Sequence, residues 1–156
     1  ILDWERRLGR QAIEGEVEPF IWGMREKGRQ VGAPEYLLIQ QDLQRITREV
    51  TAFFLDHDLW LTPTLGQPPM PLGSLKYTGG DPFEVRRKQA SFSPFTQLSN
   101  ATGQPSMSVP LYWSDDDLPI GIHFLGKFGD EATMFRLAGQ LELSPPWASR
   151  RPPVSI

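Results

Sequence analysis

Apolar residues recur at three- and four-residue steps from Ala33-Pro34 to about Asp56. Leu43, Ile46, Val50, Phe53 and Phe54 share one face there, which predicts the clearest helix of the chain. Burying those side chains would contribute on the order of 1.5–3 kcal/mol each. Before it, residues 1–32 read as two short surface helices broken by Gly9, Gly15, Gly23, Gly28 and Gly32, with Pro19 placed to open the second. Ile1, Trp4 and Leu8 stand at helical spacing with no capping residue ahead of them, so the opening reads as the middle of a longer chain. Leu59 to Thr62 is a short apolar run that Pro63 ends by removing a backbone donor, which predicts a brief buried strand. From Leu65 to Asp81, Pro68, Pro69 and Pro71 alternate with Gly66, Gly73, Gly79 and Gly80, a density that predicts a long surface loop and a candidate pocket rim.

The second half has sharper punctuation. Ser93 as N-cap, Pro94 at the first helical position and Gly103 as a stop describe one short helix. Pro105–Pro110 and Ile120–Gly126 read as two strands of a hairpin, joined by a turn that carries Asp115, Asp116 and Asp117. Residues 130–143 form a closing amphipathic helix, with Asp130 and Glu131 at its positive end and Phe135, Ala138 and Leu141 toward the core. Residues 144–156 are a Pro-rich, extended tail, which leaves 1–143 as the folded domain.

Composition narrows the function classes. The chain has 156 residues, 39% of them hydrophobic and 22% charged, which fits a folded domain and gives no sign of disorder or of a membrane span. A net charge of −3 argues against a nucleic-acid or anionic-membrane partner, both of which need clustered Lys and Arg. Arg86-Arg87-Lys88 and Arg150-Arg151 are too short to reverse that balance. Without cysteine there is no disulfide framework, thiolate metal site or cysteine nucleophile. No signal-peptide order opens the chain, and a cytoplasmic location is expected.

Candidate chemistry is sparse. His57 and His123 lie in no metal or triad motif and read as structural, with His123 expected to share a hydrogen bond with a neighbouring loop. The three aspartates are more simply a solvated turn than a cation site. Ser74 and Lys76 resemble a serine–lysine pair, but their loop has nothing to exclude water or lower the lysine's pKa. Thr78-Gly79-Gly80 is a weak anion nest without a following helix, and Asn100-Ala101-Thr102 matches a glycosylation acceptor with no secretory signal beside it. Asn100 is expected to bond back to turn backbone, Gly103 to take a left-handed helix end, and Pro105 to keep the helix from continuing, which together form a structural joint.

Taken together, Asp58-Leu-Trp-Leu-Thr-Pro63-Thr64, Pro94-Phe95, Asn100-x-Thr102-Gly103-x-Pro105-x-x-Ser108-x-Pro110, Leu118-Pro119-x-Gly121, Gly126 and Glu131 resemble the C-terminal part of the amidase signature family. The resemblance runs from about Gly15 to Glu142, nearly the whole chain. It implies an α/β fold with helices packed on a mixed β-sheet that would be incomplete in this stretch. It also implies a parent enzyme that hydrolyses carbon–nitrogen amide bonds with no metal or organic cofactor. The family's nucleophilic serine, second serine and lysine base lie in and before a Gly-Ser-rich segment absent here. The expected catalytic, cofactor-binding and metal-binding residues of this chain are therefore none, and the chain alone is expected to be inactive. Its expected contribution is pocket wall or structural joint: Thr62, Pro63, Thr64, Asn100, Thr102, Gly103 and His123. His123 stands where the family commonly has glutamine, and Asp117 where it often has glycine. The Pro68–Gly73 loop resembles those of several bacterial amidases, including cyclic-amide and nylon-oligomer hydrolases.

The expected partners are a small-molecule amide in the full-length enzyme and the N-terminal part of the same polypeptide. A sheet missing neighbours would expose strand edges, so homo-oligomers are also expected. The alternative is a non-catalytic interaction module that keeps the scaffold. A self-contained hydrolase built on His57 or His123 is a third reading.

Overall fold

A computed structural model of the chain describes residues 1–143 and residue 150; the rest of the Pro-rich tail lies outside the described residues. The chain divides into two compact units, residues 1–41 with 71–91, and residues 42–70 with 92 onward.

The first unit is helical. It holds α1 (Leu2–Leu8), α2 (Pro19–Gln30), the start of α3 (Ala33–Phe53) and most of α4 (Glu84–Phe92). Helix α1 ends on Gly9 at φ 66°, a left-handed conformation that costs glycine nothing. Arg25 of α2 donates from Nη2 and Nε to Glu5 Oε1 at 2.6 and 3.2 Å and from Nη1 to Glu26 at 2.6 Å, while its guanidinium lies 4.6 Å over the Trp22 ring. These partners hold the Glu5 carboxyl below its usual pKa: the Ala12 backbone N–H first, then Arg25. Helix α4 has no counterpart in the sequence expectations. It carries an exposed turn-to-turn ion pair, Lys88 to Glu84 at 2.9 Å, and is mostly polar, so few apolar residues mark it.

The second unit is a three-stranded antiparallel sheet with helices. Strands β1 (Leu59–Pro63) and β2 (Ser106–Trp113) flank the central β3 (Pro119–Gly126), in the order β1-β3-β2. Register sets His123 opposite Thr62 on one side and Ser108 on the other, and a bulge falls between Pro110 and Tyr112. The predicted hairpin is therefore present, and its turn holds Asp117 at φ 60°. That is the left-handed region, where glycine is the unstrained residue, as the family preference at this position implies.

Because side chains alternate across a strand, one face carries Leu59, Met107, Val109, Ile122 and Phe124. Helix α6 (Glu131–Glu142) closes this face with Met134, Leu137 and Leu141, and the core of the unit forms there. Asp130 caps α6, accepting from the Thr133 N–H at 3.3 Å and from its hydroxyl at 2.6 Å. Ala138 and Leu141 are half-buried as expected. Phe135 is not: it is 76% exposed, because Met134 rather than its neighbour holds the inward phase of the helix.

Two further expectations are corrected. The apolar stripe of α3 is buried only at its end, where Phe54 is wholly enclosed and Phe53 packs on Trp60 at 4.9 Å, while Leu43 and Ile46 are exposed. The short helix α5 (Gln97–Thr102) starts later than Ser93 and Pro94 suggest. The Ser93 hydroxyl is paired with that of Thr96 at 2.8 Å, and the Leu98 N–H closes a turn onto Phe95 O at 3.2 Å before helical bonding begins. The stop is as expected, on Gly103 at φ 72°.

Candidate functional site

The opposite face of the sheet gathers polar groups. Trp60, Thr62 and then Thr64 come from β1 and its end, Gly121, His123 and Leu125 from β3, and Ser106, Ser108 and Pro110 from β2. Three of the predicted residues, Thr62, Thr64 and His123, thus meet on one surface.

Thr64 and Ser108 join hydroxyls across the central strand. They can do so only because Gly121 lies beneath them. A Cβ there would sit 2.6 Å from Thr64 Oγ1 and 2.7 Å from Ser108 Oγ, closer than such atoms approach. The Thr64 N–H also donates to Gly121 O at 2.8 Å, extending the ladder one residue past β1. Beyond Thr64, residues Leu65–Pro69 and Pro119–Gly121 wall a small cleft of about 180 Å³, so the first part of the predicted loop does edge a concavity. Ser74, further along that loop, gives its hydroxyl hydrogen to Pro71 O at 2.7 Å.

His123 is 4% exposed. Its Nδ1 lies 3.4 Å from Thr62 Oγ1, a long contact to a neighbouring strand rather than to a loop. Its Nε2 is buried without a hydrogen-bond partner among the described residues. Burial disfavours the imidazolium and pushes the pKa of His123 below its usual value, so the ring is neutral around pH 7. With Trp60, Thr62, Pro94, Phe95, Leu98 and Leu125 the ring lines a cleft of about 220 Å³.

The joint at residues 99–105 is braced, though by residues other than Asn100, whose side chain is exposed. Ser99 Oγ–H donates to Thr96 O at 2.8 Å, and Thr102 Oγ1–H to Leu98 O at 2.9 Å. The buried Gln104 donates from Nε2 to Gly126 O at 2.8 Å, and the Gly126 N–H donates to Pro105 O at 2.9 Å. The end of α5 is thereby fastened to the end of β3. Pro63 is exposed and alternates to the other face from Thr62.

Sequence reasoning singled out neither Gly121 as a crossing point nor Gln104 as the brace. A glycine inside a strand was the available signal for the first; a buried amide has none.

Among the described residues the one hydroxyl–imidazole contact is Thr62 to His123, and no carboxylate orients that ring. His57 is occupied otherwise: its Nδ1–H donates to Phe53 O at 3.1 Å and its ring stacks on Phe53 at 4.2 Å. The described residues contain no group of three or more His, Asp or Glu placed to hold a metal ion, and no helix long and apolar enough to cross a membrane.

The Amidase family model matches residues 6–135, and the chain belongs to that family. It is 29% identical over 151 residues to the 6-aminohexanoate-cyclic-dimer hydrolase of Paenarthrobacter ureafaciens, covering 93% of this chain and 31% of that protein. AmiC of Mycobacterium leprae (strain TN) is 39% identical over 106 residues, covering 68% of this chain and 22% of that one. A solved structure of 6-aminohexanoate cyclic dimer hydrolase superposes with a TM-score of 0.88 at 28% identity, covering 98% of this chain and 33% of its own. The chain thus spans a third or less of the length of these relatives.

Proposed function

We propose that this chain is the C-terminal portion of an amidase-type hydrolase of non-peptide carbon–nitrogen bonds, that it supplies pocket wall and scaffold, and that it does not turn over substrate alone. The observation that carries the reading is the match across 98% of the chain to one third of a cyclic-amide hydrolase. The chemistry of the described residues supports it. Acyl transfer needs a nucleophile beside a group that takes its proton, and donors aimed at the developing oxyanion. Here the Thr64 and Ser108 hydroxyls are engaged with each other and those of Ser99 and Thr102 with backbone carbonyls, while the Thr62 hydroxyl stands at 3.4 Å from a buried imidazole that has no orienting acid.

On this reading the nucleophile, the proton acceptor and the oxyanion donors come from polypeptide that the chain packs against in the full-length, cytoplasmic enzyme, which takes a small amide and self-associates. No organic or metal cofactor enters. The test is to treat the purified chain with a serine-reactive fluorophosphonate and assay it against a cyclic amide. No labelling and no turnover are expected. Stoichiometric labelling of one serine, or steady hydrolysis that survives further purification, would overturn the proposal. His123→Gln is expected to leave the chain equally inert; activity lost on that substitution would favour a hydrolase built on His123.

A further inference from the structure

We infer that the turn of the β2–β3 hairpin is a docking point for the arm of this chain beyond α6, with Arg150 held between the Trp113 ring and the Asp117 carboxylate. The contact is independent of the amidase chemistry.

Two interactions of different kinds converge on one guanidinium. Arg150 donates from Nη1 to Asp117 Oδ1 at 2.7 Å, and its guanidinium carbon lies 4.4 Å from the centre of the Trp113 ring. A planar, weakly hydrated guanidinium can stack on an aromatic face and pair with a carboxylate at the same time, which the compact ammonium of lysine does less well. The Arg150 side chain is 46% exposed, so more than half of it is covered although it lies well past the last helix. An exposed ion pair alone is worth little, and salt screens it; the ring supplies the part that salt leaves.

The receiving side is built before the arm arrives. Trp113 pairs with Pro119 at the end of the ladder. The Ser114 N–H donates to Leu118 O at 2.9 Å, the Asp117 N–H to Ser114 O at 2.9 Å, and the Leu118 N–H to Ser114 Oγ at 3.1 Å. These bonds fix the turn that presents the carboxylate beside the ring. Asp117 is also the one residue other than glycine with a positive φ among the described residues, at 60°. Glycine would relax that backbone, but it has no carboxylate to offer Arg150. A strained residue persists where its surroundings hold it, and the ion pair gives this side chain a use. Asp115 and Asp116, both exposed, add negative charge to the same turn. The contact spans 33 residues of sequence, but β3 and α6 already fix most of that path, so little further loop closure is needed.

Trypsin must take a whole arginine side chain into its specificity pocket, so cleavage after Arg150 requires the clamp to open, and its rate follows the released fraction. The full chain is digested under native conditions, and the loss of residues 151–156 is followed by mass spectrometry. Cleavage after Lys76, in the exposed loop, gauges the protease, and cleavage after Arg136, inside α6, gauges unfolding. Asp117→Asn, which tolerates the left-handed backbone without the charge, and Trp113→Leu are each expected to speed cleavage after Arg150 by about threefold to tenfold, with constant rates after Lys76 and Arg136. Salt at about 0.5 M is expected to speed it in the unaltered chain and to change little in Asp117→Asn, where the ion pair is already gone. Asp117→Gly is expected to raise the melting temperature and still free Arg150, a split that a purely conformational role for this residue would not give. Unchanged cleavage after Arg150 in either Asp117→Asn or Trp113→Leu, or a rise matched after Arg136, would overturn the docking.

Discussion

Gly121→Ala is the sharpest test of how this sheet is put together. The substitution adds one methyl group in the middle of β3, where strand backbone ordinarily welcomes alanine over glycine by about 0.4–1 kcal/mol because the unfolded chain loses freedom. Here the methyl would stand 2.6 Å from Thr64 Oγ1, 2.7 Å from Ser108 Oγ and 3.1 Å from Thr64 Cβ. Neither hydroxyl can stay, so their mutual hydrogen bond is lost at a net cost of about 0.5–1.5 kcal/mol. Thr64 is β-branched and tied through its N–H to Gly121 O at 2.8 Å, so it yields less readily than Ser108. Overpacking of this kind costs about 1–3 kcal/mol, and with the lost hydrogen bond added and the alanine gain subtracted the net loss comes to about 0.5–4 kcal/mol. Urea unfolding followed by tryptophan fluorescence reads this as a lowered midpoint at unchanged slope. The discriminating arm is a cycle with Ser108→Ala and Thr64→Ala, which clear the space above the strand. In that background the Cβ of residue 64 still stands 3.1 Å from the added methyl, so Gly121→Ala should cost clearly less than in the parent chain without becoming free. If it costs nothing in the parent chain, or costs the same in both backgrounds, the crossing of hydroxyls over Gly121 is not what fixes the strands.

Other outcomes follow from the same geometry. His123 has its pKa lowered by burial, so the stability it confers is fully present above the unfolded value of about 6.5 and is lost as pH falls below it. The urea midpoint should decline between pH 7.5 and 5.5, and His123→Gln should flatten that decline; an unchanged profile would contradict the buried neutral ring. Asp117→Gly should stabilise the chain by up to about 1 kcal/mol by relieving its left-handed backbone, less the exposed ion pair to Arg150, and a thermal melt that falls would refute the strain. Gln104→Ala removes the donor to Gly126 O and should cost about 1–3 kcal/mol, with early amide exchange at Gly126 and the end of α5; exchange unchanged there would show that the brace is elsewhere.

What could be read from the sequence was whatever local chemistry fixes. Pro63 at the end of β1, Gly103 at the end of α5, the hairpin around the aspartates and the acidic start of α6 at Asp130 are each dictated by neighbours within a few residues. The resemblance to amidases lay in spaced prolines and glycines of that kind, and the family match bears it out. The misses belong to longer range. Whether Leu43 or Phe54 is buried depends on where Trp60 returns along the chain, and whether Met134 or Phe135 points inward turns on a rotation of α6 that periodicity leaves loose by one residue. Helix α4 is short and mostly polar, and its exposed Lys88–Glu84 pair adds little, so few apolar residues mark it in the sequence. The site shows the same division. Thr62, Thr64 and His123 were nominated through the family resemblance, but their shared face is a product of register, and the dependence of the Thr64–Ser108 pair on Gly121 exists only once three strands are aligned.

The two faces of that sheet carry different tasks. The Phe124 face is closed by α6 with apolar side chains, the arrangement that stabilises a fold and asks nothing of a ligand. The His123 face combines a hydroxyl pair, a neutral imidazole with unspent hydrogen-bonding capacity and an uncharged cleft. Yet His123 and Leu125 are almost wholly buried there, with Phe53 at the end of α3 packed on Trp60 and Leu98 of α5 lining the same cleft, so helices cover part of this face too and leave the imidazole Nε2 without a partner among the described residues. Among the described residues β1 and β2 are the outer strands, and each carries a proline, Pro63 and Pro110, where a missing backbone donor limits pairing with a neighbour. Further strands can then join only where donors remain, at the ends away from these prolines. The sheet's growth and its polar face are thus both constrained by residues that perform no chemistry themselves.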